Sequence, residues 1–166
     1  MKFLWAIIMI LIILLFPQKA YCGHSSALSY IKYDALGDLS WYTVENSLPN
    51  APHIKMRIES SLTSLFNGNY PGTYTYPENI SVLSINYLFG HISINLSGEF
   101  GNFGGGSMLE TIYLTQIVKT LLDIEGVEKV TLLVDGLTGN TPEGIVIKEV
   151  SSWQELTEGI IMKTEP

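Results

Sequence analysis

Cysteine is nearly absent from this 166-residue chain: Cys22 stands alone, which excludes an internal disulfide framework. Positive charge is scarce as well. Nine Lys and Arg face sixteen Asp and Glu, for a net charge of −7. No basic stripe exists to neutralise phosphates, so nucleic acid is excluded as a partner. Charged residues make up only 15% of the chain, and its polarity comes largely from Ser, Thr, Asn and Gly. No internal repeat is visible. The length suits one domain with short extras, enough to bury a proper core.

The N-terminus reads as a targeting segment rather than as part of the fold. Lys2 precedes an unbroken apolar run from Phe3 to Phe16, which is too short for a comfortable membrane span. Pro17-Gln18-Lys19 breaks the run, and Ala20-Tyr21-Cys22 offers a cleavage point before Gly23. Residues 1–22 are therefore expected to be a signal peptide or an N-terminal anchor, the chain's only membrane contact. Cys22 also stands where bacterial lipoproteins are acylated, although Lys19 and Tyr21 depart from that pattern. Cleavage, retention and lipidation all remain open at this point.

Residues 23–38 are polar and read as a tether. Leu39 to Val44 is rich in aromatic and β-branched residues and is expected as the first strand. After the prolines at 49 and 52, Ile54, Ile58, Leu62, Leu65 and Phe66 recur at helical spacing until Asn67-Gly68. A tyrosine-rich loop from Tyr70 to Pro77 follows, expected to pack over a sheet edge or to contact a partner. Two strands, Ile80 to Phe89 and His91 to Leu96, must form an antiparallel hairpin because so little chain joins them. A Gly-rich bend leads to a second helix from Met108 to about Glu125. Ser107 and Glu110 read as its capping box, and Tyr113, Leu114, Ile117, Val118, Leu121 and Ile124 as its core stripe. Lys129 to Val134 is apolar on both faces, like a central strand, and ends at the turn Asp135-Gly136. Gly144 to Ile147 is expected as a short edge strand, and residues 149–166 as a C-terminal segment holding a weak helix.

The order β-α-β-β-α-β with two amphipathic helices predicts an α+β two-layer sandwich, both helices packed on one mixed sheet. Leu109 and Ile112 lie off the core stripe, one turn apart, and form a patch. It either meets a neighbouring protein or is covered by the Tyr70 to Pro77 loop or the segment around Trp153. Tyr74 and Tyr76 are the other candidate contact residues, in an aromatic set with Trp41, Tyr42 and Tyr70 that would suit a cell-wall glycan.

No reactive constellation emerges. The Gly-rich bend lacks the Lys of a phosphate loop. His24, His53 and His91 are scattered without metal spacing, and Ser107 has no base nearby. Glu99, Glu110, Asp123, Glu125, Glu128 and Asp135 read as caps, turns or solvated acids. The chain is expected to be non-enzymatic, with no cofactor and no metal.

One stretch carries a resemblance. It runs from Leu96-Ser97 and Phe100, through Gly106-Ser107, into a helix with Glu110, Leu114, Gln116-Ile117-Val118 and Thr120-Leu121. It ends in Val127, Lys129-Val130 and Leu133-Val134-Asp135-Gly136. This pattern resembles the GerMN domain family of Gram-positive bacteria, with the likeness extending over Ser40 to Ile147 and the domain set at 39–148. The resemblance implies a fold similar to the ring-building motif and a role in sporulation or spore germination. It also implies an exported location in the cell envelope or outside the cell, and sporulation-complex or other envelope proteins as partners, self-assembly included. Peptidoglycan is the alternative partner.

Overall fold

The computed structural model describes residues 25–47, 53–103 and 106–157. The signal or anchor expected at 1–22, and Cys22 with it, lies outside the described residues. Five strands and two helices follow in order: β1 (Ser25–Tyr33), β2 (Leu39–Ser47), α1 (Ile54–Asn67), β3 (Val82–Leu88), β4 (His91–Leu96), α2 (Gly106–Leu122) and β5 (Lys129–Val134). Short 3₁₀ turns sit at Gly98–Gly101 and Trp153–Leu156.

The α+β class holds, but the strands divide between two sheets instead of joining in one. In the three-stranded sheet, central β4 pairs antiparallel with β3 and parallel with β5. Its inner face carries Ile92, Ile94 and Leu96 beside Val130, Leu132 and Val134, all buried. The outer side of β5 is closed by the chain that returns after it. Leu132 N–H donates to the Ile147 carbonyl, and Val130 and Val150 exchange two backbone bonds. The short edge strand expected at Gly144 to Ile147 does not form; of those four residues only Ile147 bonds β5, through its carbonyl. Among the described residues β3 has a partner on one side only.

Residues 23–38 are not a tether throughout. Ser25–Tyr33 forms β1, paired antiparallel with β2 along its whole length. Its serines hide the strand in the sequence, yet they are what fastens it. Ser26 shares a hydrogen bond with Ser61 of α1, and Ser29 N–H donates to Thr120 Oγ1 of α2 at 3.0 Å. Leu28 and Tyr30 enter the main core, while Ile31 joins Leu39 and Ile112 in a second cluster.

Helix α2 is consequently enclosed on more than one side. The whole expected stripe is buried, and so are Glu110, Thr115, Gln116 and Thr120. A helix apolar on one stripe and buried elsewhere must lie between layers. The two-stranded sheet supplies the second layer.

Three buried tyrosines bind the loop and the helices together. Tyr76 donates to the Tyr113 carbonyl, Tyr113 to the Thr75 carbonyl, and Tyr30 to the Leu65 carbonyl at 3.2 Å. Burial raises all three phenol pKa values above the ordinary 10, with neighbouring tyrosines adding to the shift. In the unfolded chain these groups ionise near pH 10, whereas in the folded chain each gives up its proton only at higher pH. Stability is thus fully present below pH 10 and falls as pH rises past it, by up to about 1.4 kcal/mol per pH unit for each tyrosine. Denaturant unfolding at pH 9 and pH 11 measures this. Tyr76→Phe should show a shallower fall than the wild type, and an equal fall would mean that Tyr76 is not a buried phenol.

Candidate functional site

The four residues anticipated as contacts are not brought together on a surface. Ile112 is 1% exposed, packed against Ile31 and Leu39 with Trp41 and Tyr74 at the margin. Leu109 is half-buried against the main core. The two-stranded sheet together with Tyr74 covers Ile112, and Leu109 leans on the main core, so the pair does not form a free patch. Tyr76 is buried between Phe66 and Tyr113, and Tyr74 packs at a tilt against Tyr33, with ring centroids 5.2 Å apart. An aromatic platform built on Tyr74 and Tyr76 is therefore not available to a ligand.

The polar groups that sequence motifs single out are occupied within the fold. Glu110 does not close a capping box. The helix begins at Gly106, which carries Glu110 a full turn inward, where it is completely buried. Its carboxyl group instead accepts from the Thr141 hydroxyl, from Glu143 N–H at 2.7 Å and from Ile145 N–H at 3.1 Å. It anchors the loop after β5. His91 Nε2 bonds Thr131 Oγ1, which also accepts from Glu149 N–H. Lys119 pairs with Asp123 at 2.8 Å and lies over the Trp41 ring. Asp135 and Gly136, both at positive φ, make the expected turn, with Gly136 N–H donating to Asn95 Oδ1. Serine 97 draws the exposed Glu99 carboxyl below its usual range through a side-chain hydrogen bond. Among the described residues, no group of three or more His, Cys, Asp or Glu is placed to hold a metal ion.

The feature that motif reading passes over is the tip of the β3–β4 hairpin. Its two-residue turn, Phe89-Gly90, has φ of 47° and 80°. A twisted hairpin needs positive φ at both positions, which is why Asn-Gly or Asp-Gly is favoured there. Phenylalanine pays a steric cost in that region, of the order of 1–3 kcal/mol. The ring gains nothing within the fold in return, because Phe89 is 92% exposed and its neighbour Leu88 67%. The tip is held firmly. Gly90 carbonyl accepts from both Glu128 and Lys129 N–H at the start of β5. A strained, rigid turn thus presents two apolar side chains to solvent. The sequence signal is a bulky aromatic where the turn geometry asks for Asn or Asp.

This architecture, two helices between a two-stranded and a three-stranded sheet, defines a small α+β domain of the GerMN kind. Residues 37–139 match the family model described as "Germane: Sporulation and spore germination", and the chain belongs to that family. It is similar to the tandem GerMN domains of the sporulation protein GerM from Bacillus subtilis, at 17% identity and TM-score 0.58, covering 77% of this chain and 44% of that one. It is also similar to the first GerMN domain of that protein alone, at 20% identity and TM-score 0.55, covering 76% and 95%. A putative lipoprotein from Clostridium perfringens matches at 17% identity and TM-score 0.48, over 77% and 87%. None of the curated proteins matches the chain. The chain spans less than half of the tandem structure, as a single copy of the domain would. Strand β1 falls outside the family match yet is built into the fold.

Proposed function

We propose that this protein is a non-enzymatic module of the cell envelope that acts in sporulation or spore germination by assembling with other proteins through its β3–β4 tip. Export by residues 1–22 is part of the proposal. The observation that carries it is Phe89: an exposed ring kept at a backbone position that disfavours it is a cost the isolated fold has no use for. Such strain concentrates where a protein meets something else. The rigid turn also means that little freedom is lost on docking. With a net charge of −7 and Glu128 packed against the turn, the tip suits an apolar pocket on a protein better than an anionic lipid surface. The engagement of Glu110, His91 and Lys119 in structural bonds supports a role without chemistry.

Phe89→Asn separates fold from function. It supplies the favoured turn sequence, so stability should rise by about 1 kcal/mol. Replacing the gene in its sporulating host with this variant should nevertheless reduce the yield of heat-resistant spores and the recovery of the chain in cross-linked envelope complexes. A variant with raised melting temperature and wild-type spore yield would overturn the proposal.

A further inference from the structure

A cleft of about 560 Å³ opens to solvent between the C-terminal end of α1 and the segment 75–80, and it includes neither Phe89 nor Gly90 of the hairpin tip. Asn67 and Asn69 line one wall, Glu78 and Asn79 the other, with Phe66 and Ile80 among the apolar residues that also line it. None of the three asparagine side chains makes a hydrogen bond with another described residue. Each offers two donors and an acceptor. The wall at the end of α1 is fixed in place. Tyr30 holds the end of α1 through the carbonyls of Ser64 and Leu65, and side-chain-less Gly68 packs directly on its hydroxyl between the two amides. Across the cleft, Asn79 sits at φ 66°, a strained position for a residue other than glycine, though one that asparagine tolerates better than most.

We infer that this cleft binds a short, neutral saccharide. Its lining contains no Lys, Arg or His, so nothing there neutralises an anion, and a single carboxyl group does not make a cation site. Amides and one acid can bond paired hydroxyls that both donate and accept, while the apolar residues receive the C–H face of a sugar ring. The volume is that of a small-ligand site, open on one side, which suits a ligand that keeps part of its surface in water. This site is independent of the assembly role, and it does not use Tyr74.

Isothermal titration of the purified full-length chain with two neutral trisaccharides tests it. One is the β-1,4-linked trimer of N-acetylglucosamine, the other maltotriose. Saturable binding of either establishes the class, and preference for the first points to a cell-wall source. The double variant Asn67→Ala, Asn79→Gly keeps the positive φ at 79 available and should weaken binding about tenfold or more with melting temperature maintained. All three asparagines are exposed at the rim of the cleft, and Asn69→Ala provides a second variant should the first fold poorly. Absence of saturable binding by both sugars, or binding that these substitutions leave unchanged, overturns the inference.

Discussion

Replacing Glu110 with alanine should cost the fold about 3–5 kcal/mol, a loss more typical of a large core truncation than of a polar substitution. The carboxyl group is completely buried and accepts three hydrogen bonds from the loop after β5. The Thr141 hydroxyl can turn toward the Ile145 carbonyl, 3.4 Å away, and recover part of its loss. The N–H groups of Glu143 and Ile145 cannot rotate, and although both bonds are only part-buried, a donor left without a partner costs up to about 1–3 kcal/mol. Glu110→Gln should be milder, at about 1–3 kcal/mol, because one oxygen remains while the new amide N–H faces a donor. Urea unfolding of the two variants measures both values. A loss below about 1 kcal/mol for Glu110→Ala would mean that the loop is not held by this group.

Gly68→Ala is the second large effect, expected at about 2–4 kcal/mol although the backbone there is ordinary. With φ at −68° alanine meets no conformational barrier, so the penalty is one of space. Its Cβ would lie 1.9 Å from Tyr30 Oη and 2.7 Å from Cζ. Tyr30 has nowhere to go: it is fully buried, packed edge-on against Tyr70 and bonded to the end of α1. Forcing a methyl group into such packing typically costs about 1–3 kcal/mol, and the hydroxyl's bonds add to the loss. Tyr30→Phe alone should cost about 1 kcal/mol, but it removes the atom in closest conflict. The double variant should therefore lose clearly less than the sum of the singles. Simple additivity in thermal unfolding would show that the contact is not the cause.

The sequence made the helices legible because their buried faces repeat locally. Ile58, Leu62 and Leu65 on α1, and Tyr113 to Leu121 on α2, needed only the helical period. Leu109 and Ile112 stood off that period and signalled a second contact. What covers Ile112 was not legible, because β1 is rich in serine and its bonding partners Ser61 and Thr120 lie 35 and 91 residues away. Glu110 misleads for the same reason. Ser107 and Glu110 satisfy a local motif, while the groups that hold the acid come from residues 31 to 35 positions downstream. Long-range pairing of this sort leaves no periodic trace. Phe89 is different, since an aromatic before glycine in a two-residue turn departs visibly from what the turn favours.

The assembly role is tested most directly by placing a photo-crosslinking amino acid at position 89 in sporulating cells. Position 36 serves as the control, since Leu36 is also apolar, lies in the β1–β2 turn and is 87% exposed. Expected is a discrete protein adduct from position 89 and none of comparable yield from position 36. No adduct at 89, or equal adducts at both, would show that the tip is merely exposed and not an interface.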